Sequence, residues 1–263
     1  MRNLNILHYF FKPPYGLGFS TSALGSLIAE LSRGDAGVCT MVLVQWALLG
    51  STIEILGSPE QKEKYIPKIK NFEMIGGWGL TEDKIGSDAS NLHTAVTKIA
   101  DDKYRIHGNK RWIGNGNRDL LIVWAKNTET KKIEGFIVEN KNAPGMTSQV
   151  IKYKLPLRIV QNCHITLNNV VVSADQKLPK AKDFATGVNV ILRHSRIFVC
   201  WVAAGIAMGV YDNVIKYISN RKQFGQPISG KSLCNFRFPI GSIETRQNHG
   251  QYSRHLFNVL QSF

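Results

Sequence analysis

Residues 76–90 of the chain read GGWGLTEDKIGSDAS, and they separate a helical pattern before them from a β pattern after them. The glycines in this stretch allow close approach of other backbone or of a ligand, and the hydroxyls of Thr81 and Ser87 can form hydrogen bonds. Trp78 can cover a flat ring, and N–H groups beside Ser87 can hold a phosphate or a carbonyl oxygen. A glycine-rich connection between two domains explains the same residues, so composition alone leaves both interpretations open.

The segment before this stretch carries the signals of a helical domain. Residues 41–56 form an apolar run that predicts a buried helix, and Gly57 suits the end of that helix. The next helix is predicted to begin at Ser58 as N-cap, with Pro59 at its first position and Gln61 closing a capping box. We therefore expect helices up to about residue 72.

The segment after this stretch carries the sequence signals of β-strands. Short runs rich in Val, Ile, Thr and aromatic residues predict strands at residues 92–99, 103–107, 120–125, 133–139 and 165–172. The pair Gly108 and Asn109 predicts a hairpin turn between YRIH and KRWI. No long helical pattern interrupts these runs, which disfavours a parallel sheet with crossover helices and favours an antiparallel sandwich or barrel.

A long helical pattern returns at residues 184–219, where Gly205 and Gly209 can let another helix or a ligand approach closely. Residues 230–263 show no sustained period, which predicts a poorly ordered tail. The apolar run at residues 197–211 is short for a membrane helix, and the start of the chain has no export signal. We therefore expect no membrane span.

Charge and composition exclude some classes of function but do not identify one. The 263 residues include 33 basic and 19 acidic side chains, a net charge of +14, which favours anionic partners such as nucleic acid or phosphate-rich cofactors. The basic residues are spread along the chain without a recognisable nucleic-acid fold, so nucleic acid is the weaker of these partners. Four distant cysteines and seven histidines without ligand spacing predict neither a disulfide scaffold nor a metal site.

Further motifs give the stretch a family context. The segments GSPEQKEKYIPKI, LTEDKIGSDAS, KRWIGN, NAPGM and RKQFG occur in this order along the chain. Together they resemble the acyl-CoA dehydrogenase and acyl-CoA oxidase flavoprotein family over about residues 15–225. The likeness is greatest to the plant-type short-chain peroxisomal acyl-CoA oxidases, with the glutaryl-CoA dehydrogenases as relatives.

The resemblance implies an FAD cofactor, an acyl-CoA substrate and a set of site residues. The implied flavin contacts are Trp78, Leu80, Thr81, Trp112, Ile113 and Gly114, and the segment of Arg221, Gln223 and Phe224 is implied to reach FAD, usually across a subunit interface. The implied acyl-CoA contacts are Ser87, Arg193 and Arg196. Many dehydrogenases have Thr or Ser where this chain has Gly114, so a contact there must be made by the backbone.

Each implied role has a plainer alternative. Trp78 and Trp112 can be ordinary core aromatics, and Arg196 can be a solvated charge on a helix. Arg221 can be a basic residue that complements the end of the long helix. Glu82 in the LTE motif is interpreted as structural, because the family does not use that position as its base.

The resemblance also implies an α+β multi-domain fold, in which part of the family architecture is missing. The predicted divisions are residues 1–73 for a truncated helical N-terminal domain, 74–178 for an antiparallel β-sandwich or barrel middle domain, 179–229 for the first helix of a C-terminal helical bundle, and 230–263 for an aberrant tail.

The implied reaction is α,β-dehydrogenation of an acyl-CoA, in which a carboxylate removes the α-proton and the flavin accepts the β-hydrogen. The family places that carboxylate in a YEGT-like segment, which this sequence does not contain, and Glu244 is the only carboxylate after Arg221. We therefore expect no catalytic base and an inactive chain, or alternatively a non-catalytic subunit that binds or modulates a full-length relative. A homo-oligomer and a peroxisomal location are implied by resemblance. The chain ends in no peroxisomal address, so the cytoplasm is the alternative location. Acyl-chain length and the choice between oxidase and dehydrogenase stay open.

Overall fold

A computed structural model of the chain describes residues 5–140 and 143–230. The chain divides into two compact units, Met1–Gly205 and Ile206–Phe263. The predicted tail, with Glu244, lies outside the described residues apart from Gly230.

The first unit begins with helices, as the sequence predicts. They are a short 3-10 turn at Ile6–Tyr9, α1 at Thr21–Gly34, α2 at Ala36–Leu43, a π-helical turn at Val44–Gly50, α3 at Ser51–Leu56 and α4 at Pro59–Lys70. The capping box at the start of α4 is confirmed: the Ser58 hydroxyl accepts a hydrogen bond from the Gln61 N–H, and the Gln61 side chain accepts one from the Ser58 N–H. These reciprocal bonds satisfy two donors that the helix leaves open.

Aromatic side chains and glycines pack the helical part of this unit. The buried ring of Trp46 contacts Phe10 and Phe198 at centroid distances of 4.6 and 4.8 Å. The predicted close approach at Gly205 is confirmed, because a Cβ there would lie 2.2 Å from the carbonyl oxygen of Ala29. Only glycine permits this backbone contact between α1 and the long helix that carries Gly205.

Seven strands follow the helices and form one sheet. They are β1 at Gly76–Gly79, β2 at Ala95–Ala100, β3 at Lys103–Gly114, β4 at Leu120–Asn127, β5 at Ile133–Glu139, β6 at Met146–Val150 and β7 at Asn162–Ser173. The strand order is β1-β4-β2-β3-β7-β6, with β5 paired to β4. Most pairs are antiparallel, as predicted, but β4 pairs in parallel with both β1 and β2. The chain reaches β4 from β1 through the β2–β3 hairpin, so these parallel pairs need no crossover helix.

The predicted hairpin turn at Gly108 and Asn109 is wrong. Both residues lie inside the continuous strand β3, where the pairing with β7 shifts register between Ile106 and Gly108. Gly108 has a φ of +148°, and a Cβ there would lie 2.6 Å from the hydroxyl oxygen of Thr94. The glycine therefore forms a β-bulge that lets Thr94 approach, rather than a chain reversal.

The second unit contains the end of the helix α5, Val188–Asn220, and a short hairpin. The hairpin pairs β8, Lys222–Gln223, with β9, Gln226–Pro227, and a 3-10 turn at Ile228–Gly230 follows. Phe224 and Gly225 form the connection with φ of 53° and 79°. Two left-handed residues in a row are typical of the tight turns that match the twist of a hairpin.

Two helical segments of the described residues are long and apolar enough to cross a membrane: Ala36–Leu56, which is mostly buried within the protein, and Val188–Asn220, which is mostly not. Length and composition alone are weak signs of a span, since core helices pass the same test. The prediction of no membrane span stays a prediction.

Candidate functional site

The short strand β1, which opens the LTE segment, is anchored to the helices by side-chain hydrogen bonds. Gln45 in the π-helical turn donates to the carbonyl oxygens of Ile69 and Met74 at 3.1 and 2.6 Å and accepts from the N–H of Gly76 at 3.3 Å. The indole N–H of Trp78 donates to the hydroxyl of Thr52 at 3.0 Å. These bonds fix the position of the backbone that leads into Leu80.

The ring of Trp78 is buried by this anchoring. It is 8% exposed and meets the ring of Trp124 edge-on at a centroid distance of 5.8 Å. The plainer alternative, a core aromatic, therefore describes the side chain of Trp78.

The two segments with predicted flavin contacts lie side by side. The Arg111 N–H in β3 donates to the Thr81 carbonyl oxygen at 2.9 Å. A Cβ on Gly77 would lie 2.5 Å from the Gly114 carbonyl oxygen, so glycine is required for the approach of β1 to the end of β3. The structure thus brings the GGWGLT and KRWIGN segments together.

Trp112 differs from Trp78 because its side chain is half exposed, at 50%. It has a φ of +63°, and its carbonyl oxygen accepts a hydrogen bond from the Asn162 side chain at 2.7 Å. The guanidinium carbon of Arg111 lies 5.4 Å from the centre of the Trp112 ring. A non-glycine residue with positive φ is uncommon and stores strain that the surroundings must hold. An exposed aromatic ring on such a backbone suits the covering of a flat ligand.

The end of the first segment offers two polar groups to a ligand, and the end of the second is closely packed. Within the described residues, neither the N–H nor the hydroxyl of the half-buried Thr81 has a hydrogen-bond partner. At Gly114, a Cβ would lie 2.9 Å from a methyl group of Val160, so a side chain there would displace Val160. The prediction that Gly114 acts through its backbone agrees with this packing.

Two ion pairs join the residues after Thr81 to β3. Glu82 and Lys110 form a buried pair with 2.8 Å between carboxylate oxygen and Nζ, and Asp83 and Arg111 form an exposed pair at 2.9 Å. Burial lowers the pKa of Lys110 to about 8 against the opposing effect of Glu82. Burial alone would raise the pKa of Glu82, but Lys110 and hydrogen bonds from His93 and Thr94 lower it. Both members are therefore charged at neutral pH, which agrees with the structural interpretation of Glu82.

The predicted acyl-CoA contacts and the predicted residues of the RKQFG segment are exposed side chains. Ser87 is exposed in the loop after Glu82, and Arg193 and Arg196 are exposed one turn apart on α5. In the part of the chain that the structure describes, no hydrogen bond or ion pair joins these three side chains to the flavin-contacting segments. In the second unit, Arg221, Gln223 and Phe224 lie on the exposed hairpin, with Phe224 93% exposed.

Sequence reasoning missed the residues that hold the site together. From the sequence alone, Lys110 cannot be distinguished from the exposed lysines. The bulge at Gly108, which accompanies the burial of Lys110, has no sequence signal of its own. Gln45 and Thr52 are polar residues within an apolar run, and nothing around them in the sequence indicates their hydrogen-bond partners. The one available signal for Lys110 was Glu82, since a buried carboxylate needs a cationic partner.

Three family models match the chain in sequence order. The model described as acyl-CoA dehydrogenase, N-terminal domain matches residues 1–73, the middle-domain model matches residues 77–170, and the C-terminal-domain model matches residues 186–249. The last match extends into residues 230–263, which the sequence predicts to be a poorly ordered tail.

Curated proteins give the same result. A probable short/branched chain specific acyl-CoA dehydrogenase of Dictyostelium discoideum is 31% identical over 236 residues, which are 86% of this chain and 56% of that protein. A glutaryl-CoA dehydrogenase of Desulfococcus multivorans is 32% identical over 222 residues, 81% of this chain and 56% of that protein. The chain thus spans a little over half the length of these relatives.

Among solved structures, a glutaryl-CoA dehydrogenase from Mycobacterium smegmatis in complex with FADH2 matches with a TM-score of 0.83 and 31% identity, over 90% of this chain and 60% of that chain. The predicted fold class is confirmed by this match and by the three family models. All three relatives named here are dehydrogenases, so these matches do not support the finer prediction of the peroxisomal oxidase branch.

Proposed function

The chain belongs to the acyl-CoA dehydrogenase family, and from this premise we propose that it binds FAD and takes part in the α,β-dehydrogenation of an acyl-CoA thioester. The observation that carries the proposal is the juxtaposition of Thr81 and Trp112, held by the 2.9 Å hydrogen bond from Arg111 to Thr81. These residues stand on the two segments that match the flavin contacts of the family.

The residues of this juxtaposition fit a flat, polar ring system. Trp112 offers a half-exposed aromatic face, and Thr81 offers an N–H and a hydroxyl that have no partner among the described residues. A flat ring with hydrogen-bond acceptors along one edge can stack on the aromatic face and accept hydrogen bonds from Thr81 at the same time. An isoalloxazine ring has this chemistry.

FAD, when bound, would supply the redox chemistry by accepting the β-hydrogen of the acyl group as hydride. The protein must hold the ring, orient the thioester and provide a carboxylate for the α-proton. Glu82 does not suit this last role, because its carboxylate is occupied by Lys110 and by two backbone N–H groups. We propose that the 263-residue chain by itself binds the cofactor without completing the reaction, since the YEGT-like segment that carries the base in relatives is not in its sequence.

The acyl-CoA contacts are proposed for Ser87, Arg193 and Arg196. All three are exposed, and the arginines suit the phosphates of CoA because a guanidinium donates from a planar fork. The net charge of +14 favours the approach of such an anionic thioester. Reoxidation by oxygen in a peroxisome is the finer proposal, and it rests on the motif resemblance alone; the relatives named above are dehydrogenases.

An absorption spectrum of the purified chain, before and after anaerobic addition of butyryl-CoA, tests the proposal. A flavin band that stays oxidised on addition is the expected result. Bleaching of the band would show that some carboxylate acts as the base, and a chain without flavin even after incubation with excess FAD would contradict the proposed cofactor. Peroxide formation in air after bleaching would favour the oxidase branch.

A second candidate function is that of a non-catalytic subunit that joins a full-length relative. The exposed hairpin at residues 221–227 favours it, because Phe224 presents 93% of its surface to solvent on the segment that crosses a subunit interface in the family. Light scattering of the chain alone and mixed with a full-length acyl-CoA dehydrogenase tests this candidate. A mixed complex that is lost with Phe224→Ala is expected, and two unmixed species would contradict it.

A further inference from the structure

The buried ion pair of Lys110 and Glu82 has no task in the chemistry proposed above. The side chains are 0% and 6% exposed, with 2.8 Å between Nζ and the carboxylate. A buried ion pair contributes little net stability, because removing two charges from water offsets their attraction. Stability alone is therefore a poor explanation for a charged pair at this place.

The contacts of Lys110 point to the backbone between β1 and the loop. Its ammonium donates to the Leu80 carbonyl oxygen at 3.1 Å and to Glu82 at 2.8 Å. The carboxylate of Glu82 also accepts from the N–H groups of His93 and Thr94 at 2.7 and 3.0 Å. Lys110 is thus the point at which three chain segments are joined.

The bond to Leu80 determines the direction of a neighbouring donor. The Leu80 carbonyl and the Thr81 N–H belong to one planar trans peptide, in which the two groups point in opposite directions. Fixing the carbonyl oxygen therefore fixes the N–H, and this is the donor without a partner among the described residues. The Thr81 carbonyl is fixed separately by the Arg111 N–H at 2.9 Å. Consecutive residues of β3 thus hold both peptides that flank Thr81.

We propose that Lys110 is a positioning residue for the cofactor: held by Glu82, it orients the Leu80–Thr81 peptide so that the Thr81 N–H faces the flavin ring. The inference rests on the proposed function, since it names the residue that prepares the flavin-contacting backbone. It assigns no contact between Lys110 and the flavin itself.

The test compares Lys110→Met and Glu82→Gln with the control Asp101→Asn in the full chain. Asp101 is an exposed carboxylate that pairs with Lys98 at 2.9 Å, and neither residue belongs to the two site segments. The FAD dissociation constant, the shape of the flavin absorption band and the amide hydrogen exchange of Arg111 are measured. Exchange reports on the hydrogen bond to Thr81 whether or not FAD is present.

Lys110→Met is expected to weaken FAD binding by about tenfold or more, the ratio that corresponds to one charge-assisted hydrogen bond. It is also expected to alter the flavin band and to speed exchange at Arg111, while Asp101→Asn leaves all three unchanged. A folded Lys110→Met chain with wild-type FAD affinity, band shape and exchange would overturn the inference. Where Lys110→Met fails to fold, Glu82→Gln decides by the same criteria, since it keeps an acceptor for the backbone donors.

The two proposals fail in different ways. If the wild-type chain binds no FAD, the proposed function is wrong, and exchange at Arg111 still tests the role of Lys110. If the wild-type chain binds FAD and Lys110→Met binds it equally, with equal exchange, the role of Lys110 is wrong and the cofactor proposal stands.

Discussion

The indole N–H of Trp78 donates to the hydroxyl of Thr52 over 3.0 Å, and both residues are buried. The Thr52 hydroxyl in turn donates to the Leu48 carbonyl oxygen at 2.6 Å. This chain of bonds connects the first strand of the sheet to the helices by side chains that have no access to water. A buried donor that loses its only partner destabilises the fold by its full desolvation penalty.

Thr52→Val tests this connection. The valine keeps the shape of the side chain and removes the acceptor, so the free energy of unfolding is expected to fall by roughly 1–3 kcal/mol. Thr40→Val is the matched control, because among the described residues the Thr40 hydroxyl bonds only to Ala36 in its own helix. Urea denaturation followed by tryptophan fluorescence measures both, and equal losses in the two variants would contradict the prediction.

Gly108→Ala tests the bulge in β3. An alanine at position 108 would have to adopt a φ of +148°, and its Cβ would lie 2.6 Å from the hydroxyl oxygen of Thr94. We therefore expect the free energy of unfolding to fall by about 1–3 kcal/mol. Gly86→Ala is the control, since a Cβ at Gly86 meets nothing within 4 Å. Thermal denaturation by circular dichroism should separate the two variants. A Gly108→Ala chain as stable as Gly86→Ala would argue against a strained bulge.

The stability of the chain should fall at alkaline pH because of Cys39. Burial raises the pKa of this thiol from 9.0 to about 11, so the unfolded chain loses the proton first. The contribution of the protonated Cys39 thiol to the free energy of unfolding is fully present below pH 9 and is lost as the pH rises through 11. At 1.36 kcal/mol per pKa unit, this loss is roughly 2–3 kcal/mol.

Cys39→Ser isolates this contribution, because a serine does not titrate in that range. The free energy of unfolding should decline less between pH 9 and pH 11 in Cys39→Ser than in the wild type, whereas the exposed Cys200→Ser should follow the wild type. Parallel slopes in all three proteins would refute the assignment.

Trp112→Ala should weaken FAD binding more than it weakens the fold. The ring is half exposed, and an aromatic contact corresponds to about 0.5–1.5 kcal/mol, or roughly a twofold to tenfold change in the dissociation constant. Tyr153→Ala is the control, an aromatic residue that is 97% exposed outside the two site segments. Fluorescence titration with FAD measures both, and unchanged affinity in Trp112→Ala would remove this ring from the site.

The sequence predicted features that depend on neighbouring residues. The capping box at Ser58 needs only four consecutive positions, and the strand Ile133–Glu139 was predicted with its observed bounds because turn residues flank it on both sides. The helix α5 followed from a long apolar pattern. Local chemistry sets these elements, and tertiary contacts do not displace them.

What the sequence did not predict depends on distant partners. The sequence of β1 predicts a glycine-rich loop. The segment is a strand only because Leu120–Val123 in β4 pairs with it. Gly108 reads as a turn residue, and only the contact with Thr94 shows that a bulge uses the glycine. Lys110 is buried with Glu82, a partner 28 residues earlier in the chain, and no local pattern distinguishes it from the exposed lysines. The resemblance named the residues of the candidate site, but it did not indicate what holds them.

The pairing of β1 with β4 also has a consequence for the order of assembly during synthesis. The helices α1–α4 and the segment GGWG leave the ribosome before β4 is made, so Gly76–Gly79 then has no strand beside it. Domains form from the N-terminal end as the chain is made, at about 5–20 residues per second. Trp78 can therefore meet Trp124 of β4 only after a delay of seconds, and the emission of its indole would report the moment at which the nascent sheet closes.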